Sequence, residues 1–197
     1  MENAKPNAKP KSSGKWLKRG AIVALGAAAL TSVALASDGK PQTVQQVDLV
    51  KYSGTWYEIA RFPMYFQRKC ASDVTATYGT LSNGNVSVLN QCRQADGEMM
   101  SSTGEASAVN STNTKLKVSF LPQGLRWIPF TNGDYWVLKL DENYQTALVG
   151  GSNRKYLWIL SRTPNLDEKT YQAYVAAAKH QGFDVSKLER TVHTQQK

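Results

Sequence analysis

Gly54-Thr55-Trp56-Tyr57-Glu58-Ile59-Ala60-Arg61 is the stretch that decides the fold of this 197-residue chain. It opens a strand with a glycine, where the backbone must pass close to another group, and places a large aromatic residue two positions later. Far downstream, Tyr156-Leu157-Trp158-Ile159-Leu160-Ser161-Arg162 is an apolar strand that ends in an arginine. We expect the two strands to meet with the Arg162 guanidinium over the Trp56 indole, a contact worth about 0.5–2 kcal/mol.

Short alternating segments separated by turn residues connect these two stretches. Ser82-Asn83-Gly84-Asn85 contains the Asn-Gly pair typical of tight hairpins, and Asp96-Gly97 and Asp141-Glu142-Asn143 mark further turns. The pattern predicts eight strands in an antiparallel meander, and eight strands can close on themselves and remove exposed sheet edges. We therefore predict an all-β fold, an eight-stranded up-and-down barrel. An open sandwich fits less well because sandwiches usually use longer crossovers.

The hydrophobic period changes after Arg162. Thr163-Pro164-Asn165-Leu166-Asp167 is typical of a helix start, and an apolar stripe at helical spacing follows it before Gly182. The stripe consists of Tyr171, Tyr174, Val175 and Ala178. We predict one C-terminal helix packed outside the barrel, then an extended segment over 183–188 and a polar tail over 189–197. The predicted organisation is a leader over 1–36, a lead-in over 37–53, the barrel over 54–162, and the helix, extended segment and tail over 163–197.

The first 36 residues differ in composition from the rest. Six basic residues precede an uncharged run that ends Ala34-Leu35-Ala36, a pattern typical of a cleaved secretory signal peptide. A retained anchor is the alternative, although 17 residues are marginal for a bilayer core of about 30 Å. Without the leader, 18 basic and 14 acidic residues leave a formal net charge of +4, compared with +9 for the whole chain. That charge is too mild and scattered to indicate nucleic acid. We expect export to the periplasm or the outer-membrane periphery, without a lipobox cysteine.

The only two cysteines are Cys70 and Cys92. An even pair in an exported protein predicts a disulfide rather than a metal site, with two free buried thiols as the alternative. The meander places both cysteines at the rim opposite Trp56. A bridge there would pin the first loop of that rim to the third strand.

An up-and-down meander alternates its connections between two rims. Gly54, Trp56, Tyr144 and Arg162 fall at one rim, which we call the floor. The opposite rim, the mouth, carries two long apolar loops, Met64-Tyr65-Phe66 and the segment 125–130. Long apolar loops at one rim only predict a ligand portal, although they could instead fold inward and plug the barrel.

Strand alternation indicates which side chains line the barrel. If Arg162 points inward, so do Leu160, Trp158 and Tyr156, and Glu58 and Ala60 share the face of Trp56. The candidate ligand-binding residues are Ala60, Phe66, Val118, Phe120, Trp136, Tyr156, Trp158 and Leu160. An eight-stranded barrel is just wide enough to be filled by side chains or to hold one small ligand, so ordinary core is the alternative for each wall aromatic. A buried Glu58 needs a hydrogen-bond partner, which we expect near the floor.

Three basic residues near the mouth, Arg61, Arg68 and Lys69, are candidates for holding a carboxylate or phosphate head group. The alternative is a solvated loop. Both histidines, His180 and His193, fall outside the predicted barrel strands, so no nucleophile–base or metal-ligand grouping can be assembled inside. We expect no catalytic residue, no metal and no cofactor.

The same residues resemble the three signature regions of the lipocalins: Gly54-x-Trp56, the turn before Tyr144, and Arg162. The sequence of these and neighbouring segments is most similar to the bacterial lipocalins and their apolipoprotein D-like relatives. That similarity is carried by residues 54–61, 75–78, 116–120, 156–164 and 182–187. The chain departs from the pattern in Glu142-Asn143-Tyr144, where the family often has Thr-Asp-Tyr, and in lacking the lipobox cysteine.

The resemblance implies transport or storage of a lipid in the cell envelope. Burying a ~16-carbon tail gains on the order of 12 kcal/mol before association costs, so we expect a fatty acid or lysophospholipid as ligand. We expect a monomer or weak homodimer, with peripheral membrane contact left open. The alternatives are a barrel enzyme acting on an apolar substrate and a filled barrel that acts through its surface.

Overall fold

The computed structural model describes residues 39–125 and 132–194, so the expected leader lies outside the described residues. It contains a single helical turn α1 (Leu49–Tyr52), a helix α2 (Glu168–His180) and nine strands. The strands are β1 (Gly54–Arg61), β2 (Cys70–Thr80), β3 (Val86–Gln94), β4 (Met99–Ala108), β5 (Lys115–Ser119), β6 (Gly133–Leu140), β7 (Thr146–Gly150), β8 (Leu157–Ser161) and β9 (Glu189–Arg190). Short 3-10 turns occupy Tyr65–Gln67, Gln123–Leu125 and Val185–Lys187.

The first eight strands form a closed antiparallel barrel. Each strand from β2 to β7 pairs with the next, β8 pairs with β1, and β1 pairs with β2 to complete the circle. The predicted up-and-down barrel with one helix outside is confirmed. The Asn-Gly turn works as expected, since the amide of Leu81 donates to the carbonyl of Asn85 and Gly84 adopts a φ of +81°.

Helix α2 closes an outer core against the barrel wall. Asp167 caps its start by accepting from the Thr170 amide, and Gly182, with a φ of +81°, follows its last turn. The buried face of the helix meets outward side chains of the sheet. These include Tyr171, Tyr174 and Ala178 from the helix and Leu138, Leu148, Leu157 and Ile159 from the sheet. The wall is therefore apolar on both sides where the helix covers it.

An inner core fills the floor half of the barrel. Trp56 is fully buried there, surrounded by Tyr78, Val88 and Val149 from three other strands. Val47 and Tyr52, from the segment before β1, close this core from below. No helix among the described residues is long and apolar enough to cross a membrane.

The C-terminal segment differs from the prediction. Residues 183–188 are not extended throughout, because Val185–Lys187 forms a 3-10 turn, and residues 189–190 form β9 instead of a polar tail. β1 pairs with β2 only from Gly54 to Tyr57, and its later part pairs with β9. The segment then reaches β2, where the Asp73 amide donates to the carbonyl of Val192. It thus bridges the gap where β1 and β2 separate.

Candidate functional site

The floor is held by one guanidinium. The Arg162 guanidinium carbon lies 4.0 Å from the Trp56 ring centroid, and Nη1 donates to the Thr55 carbonyl at 2.9 Å. Nε and Nη2 donate to the remaining backbone carbonyls around it, those of Tyr144, Lys51, Tyr52 and Ser53. Gly54 has a φ of +95°, and a Cβ there would lie 3.3 Å from Arg162 Nη1. The structure thus brings together the four residues that the sequence assigned to the floor.

Three tyrosines meet above the floor. The Tyr135 hydroxyl lies 2.9 Å from that of Tyr52 and donates to that of Tyr78 at 3.0 Å. Burial raises the pKa of all three phenols, that of Tyr78 to about 12, so they stay neutral. Tyr52 lies before the first strand, so alternation within strands could not have indicated this cluster.

The floor half of the barrel is almost filled. The enclosed space around the tyrosines is about 20 Å³ and is lined by apolar side chains such as Val88, Leu116 and Val137. A water molecule needs roughly 10–15 Å³ of such space, so there is room for about one water and none for an acyl chain. The floor half is therefore ordinary packed core, which was the alternative to a ligand cavity. Leu160, a predicted ligand-binding residue, is 4% exposed and packs in this inner core.

The mouth half is open to solvent. Ser102 pairs with Asn90 on the inner face, yet Ser102 is exposed. Val118 is half-buried, and Phe120, two residues further on the same face, is 44% exposed. A Cβ on Gly104 would lie only 2.8 Å from the Phe120 ring, so the missing side chain makes room for that ring inside the barrel.

Three aromatic side chains extend from the mouth to mid-barrel. Trp158 is half-buried opposite Val149 on the inner face and stacks on Tyr156, with ring centroids 6.1 Å apart. Phe66 lies in the first mouth loop and is 56% exposed, and its ring centroid is 5.6 Å from that of Tyr156. These residues offer an apolar surface that solvent reaches. The other predicted mouth loop, 125–130, lies outside the described residues after Leu125.

A polar network links the barrel wall, the mouth loop and the C-terminal segment. Glu58 is 3% exposed and accepts from Arg61 Nη1 at 2.9 Å, Thr191 Oγ1 at 2.6 Å and Gln67 Nε2 at 2.9 Å. Gln67 Oε1 in turn accepts from the indole nitrogen of Trp158 at 3.2 Å. The prediction that Glu58 would find its partner near the floor was wrong. Its partners come from the strand's mouth end, the mouth loop and the segment after β9.

An open pocket of about 410 Å³ lies beside this network at the rim. Arg61, Tyr65 and Arg68 line it, together with Glu189 from β9. The Arg68 guanidinium stacks on the Tyr65 ring at 3.7 Å. Two of the three head-group candidates thus lie at one pocket, whereas Lys69 is exposed and does not line it.

Residues 47–193 match the family model of the lipocalin-like domain. That span contains the whole barrel, helix α2 and β9. The chain belongs to the lipocalin family. This lipocalin is 44% identical over 153 residues to temperature-induced lipocalin-1 of Arabidopsis thaliana, covering 76% of this chain and 81% of that protein.

Two further relatives place it in the bacterial and apolipoprotein D-like group. The outer membrane lipoprotein Blc of Escherichia coli K12 is 43% identical over 172 residues, covering 85% of this lipocalin and 93% of Blc. Apolipoprotein D of Mus musculus is 32% identical over 158 residues, covering 77% and 79%. Insecticyanin of the tobacco hornworm Manduca sexta superimposes with a TM-score of 0.62 at 23% identity, covering 81% and 86%, which shows the shared fold.

Two predicted wall residues of this lipocalin do not face its interior. β1 has a bulge between Glu58 and Ala60, so Ala60 pairs with the outward Ile159 and joins the outer core. Trp136 also lies in the outer core, where the Lys115 ammonium covers its ring at 4.3 Å. The bulge reverses the alternation after Glu58 and therefore turns Arg61 inward.

The disulfide of this lipocalin is confirmed. Cys70 at the start of β2 is bonded to Cys92 in β3, with their Cα atoms 5.5 Å apart. Neither cysteine is free, so neither can serve as a thiol nucleophile.

Proposed function

We propose that this lipocalin binds and carries or stores a small hydrophobic ligand, a fatty acid or lysophospholipid, in the mouth half of its barrel. The observation that carries the proposal is the contrast between the two halves. The floor half is sealed around Trp56, whereas Phe120 and Trp158 present aromatic surface on the inner face of the open half. Solvent-exposed apolar surface inside a concave wall is what an apolar ligand buries.

The expected affinity follows from burial of the acyl chain. Each methylene removed from water contributes about 0.8 kcal/mol, and association costs at least about 4 kcal/mol. Ten buried methylenes, about 8 kcal/mol gross, therefore leave roughly millimolar binding, and a ~16-carbon chain reaches micromolar or tighter binding. A chain reaching below Trp158 must displace side chains, because the enclosed space there is about 20 Å³.

We also propose that the lipocalin acts in the cell envelope. Its disulfide is typical of an oxidising compartment, and a relative that is 43% identical is named an outer membrane lipoprotein. The leader pattern of the sequence favours the same compartment.

The test is a titration of delipidated protein with fatty acids and lysophospholipids, in which binding is monitored by intrinsic tryptophan fluorescence. Saturable quenching with a dissociation constant that falls as the acyl chain lengthens supports the proposal. Mass spectrometry of organic extracts from freshly purified protein should also find a bound lipid. Absence of both would contradict the proposal and favour the alternative, a protein that acts through its surface.

A further inference from the structure

Hydrogen bonds connect the C-terminal segment to the aromatic surface inside the barrel. Thr191, which follows β9, donates to Glu58 Oε1 at 2.6 Å, and Glu58 Oε2 accepts from Gln67 Nε2 at 2.9 Å. Gln67 Oε1 accepts from the indole nitrogen of Trp158 at 3.2 Å. We call these four side chains the Glu58 network. They come from the C-terminal segment, β1, the first mouth loop and β8, so only the folded barrel brings them together.

Glu58 and Trp158 together decide which way the Gln67 amide points. A carboxylate accepts hydrogen bonds without donating any, and an indole N–H donates without accepting. The amide therefore turns its nitrogen to Glu58 and its oxygen to Trp158. The reversed amide would place oxygen against oxygen at Glu58 and donor against donor at Trp158. Gln67 is thus restricted to a single orientation.

Glu58 is itself held in place by other parts of the fold. Its side chain is 3% exposed, and its Oε1 also accepts from Arg61 Nη1 at 2.9 Å. The backbone of Thr191 is fixed as well, because its amide donates to the Ile59 carbonyl at 3.0 Å. A buried carboxylate that accepts from three side chains has little freedom to turn. The network therefore fixes Gln67 from a rigid end.

Trp158 is the member of the network that lies on the proposed ligand surface. It is opposite Val149 on the inner face and stacks on Tyr156, with the ring planes 25° apart. The hydrogen bond from its indole nitrogen to Gln67 fixes the rotation of the ring. Each side chain that a ligand must immobilise weakens binding about two- to tenfold. A ring that is already fixed avoids this loss.

We propose that Glu58 and Gln67 are positioning residues for ligand binding, which hold the Trp158 ring as a fixed surface for the acyl chain. Thr191 ties that surface to the C-terminal segment. The proposal rests on the proposed function, because the position of Trp158 matters only if an apolar chain lies on it. Since the network acts on the ring and not on the polar end of the ligand, its effect is equal for charged and neutral ligands of one chain length.

The test exchanges the two groups of the Glu58–Gln67 contact. Glu58→Gln places an amide nitrogen against the nitrogen of Gln67, and Gln67→Glu places a carboxylate against Glu58. Each single variant should therefore release the indole of Trp158. In the double variant Glu58→Gln/Gln67→Glu, the introduced amide oxygen accepts from Thr191 and Arg61, and the introduced amide nitrogen donates to the introduced carboxylate. That carboxylate accepts from Trp158, so the double variant restores the network.

Two measurements follow the variants. Tryptophan quenching at pH 8 gives the affinities of delipidated protein for dodecanoate and 1-dodecanol. Each single variant should bind both probes about fivefold more weakly than the wild type, and the double variant should return to within about twofold. In NMR spectra, the indole N–H signal of Trp158 should shift and exchange faster with solvent in the single variants and recover in the double variant. A role in stability alone would not move this signal together with the affinity.

Two threonines of the C-terminal segment provide a matched control. Thr191→Val removes a donor to Glu58, whereas Thr194→Val removes a donor to Asp73, which lies outside the network. Thr191→Val should weaken the binding of both probes about threefold, because Glu58 loses one of the bonds that orient it. Thr194→Val should leave both affinities unchanged, although it removes a hydrogen bond of the same segment.

The outcomes separate the positioning role from the proposed function. If the wild type binds both probes and the single variants bind them equally well, the positioning role is overturned and lipid binding remains. A loss of affinity for dodecanoate alone would assign Glu58 and Gln67 to the charged end of the ligand and would also overturn it, as would a double variant as weak as the single ones. Failure of the wild type to bind either probe would overturn the proposed function as well. If Gln67→Glu does not fold, Glu58→Gln and the threonine pair decide.

Discussion

Residues of the same type have different environments in this barrel, as two arginines and two tryptophans show. Arg162 donates to five backbone carbonyls around the floor, whereas the buried Nε of Arg61 has no hydrogen-bond partner among the described residues. Trp56 is fully buried beneath Arg162, whereas Trp158 is half-buried on the open part of the wall. Arg162 and Trp56 support the fold, and Trp158 belongs to the ligand surface that we propose.

Arg162→Ala should lower the free energy of unfolding by about 3 kcal/mol, because several backbone carbonyls lose their donor and Trp56 loses its cation–π contact. Urea titrations measure the free energy of unfolding, and the m value of the variant should equal that of the wild type. The affinity of the variant for dodecanoate should differ less than twofold from that of the wild type, since the floor lies below the open half. A large loss of affinity in stable Arg162→Ala protein would contradict the separation of floor and ligand space.

Trp158→Ala should weaken dodecanoate binding by about tenfold, because it removes stacking surface for the chain. The matched control is Trp136→Ala. Trp136 is 8% exposed on the outer face, so its loss should reduce stability by about 3 kcal/mol without changing affinity. Isothermal titration calorimetry serves here, because both substitutions remove a fluorophore. Equal affinity losses in the two variants would place the ligand elsewhere.

At the scale of elements, the C-terminal segment completes the wall that β1 and β2 leave open. Thr191 donates to Glu58, the ring of His193 lies 2.8 Å from the Glu58 carbonyl oxygen, and Thr194 donates twice to Asp73. Burial alone would raise the pKa of Asp73, but hydrogen bonds from Thr194, Ser72 and Arg93 lower it to about 2. A carboxylate therefore fastens the end of the segment to β2.

The sign of the pH dependence follows from that shift. Because the folded-state pKa lies below the unfolded value, Asp73 stabilises the fold above pH ~4, and this contribution is lost as the pH falls toward 2. We expect Asp73→Asn to lose about 1 kcal/mol at pH 7, a value reduced for solvent screening. The difference between variant and wild type should shrink between pH 4 and 2 in urea titrations. A difference that stays constant with pH would contradict the role of the carboxylate.

At the scale of the whole molecule, one disulfide ties the first mouth loop to the wall. Cys70 and Cys92 are 22 residues apart, and a loop of that length gains about 3 kcal/mol in the chain-entropy model. The Cys70→Ser/Cys92→Ser double variant should therefore melt roughly 6–12 °C lower while keeping the β-sheet circular dichroism spectrum. An unchanged melting temperature would show that strand pairing alone holds the loop.

Local chemistry made much of the fold predictable. Period-two alternation and turns such as Asn83-Gly84 are properties of neighbouring residues, so eight strands and their order followed from the chain itself. The meeting of Gly54, Trp56 and Arg162 followed from the meander alone, and two cysteines allow only one pairing.

Other features required the tertiary structure. The bulge after Glu58 reverses the inner and outer faces of Ala60 and Arg61, and alternation cannot reveal a bulge because the same residues fit both registers. The tyrosine cluster joins Tyr52, Tyr78 and Tyr135 over long sequence separations. The place of the C-terminal segment depends on unpaired backbone groups of β1 and β2, which exist only once the barrel has formed. The sequence by itself thus determined the strands, their order and the floor, because neighbouring side chains specify them. Only the tertiary structure decided which half stays open and which arginine turns toward it, because those depend on contacts between distant segments.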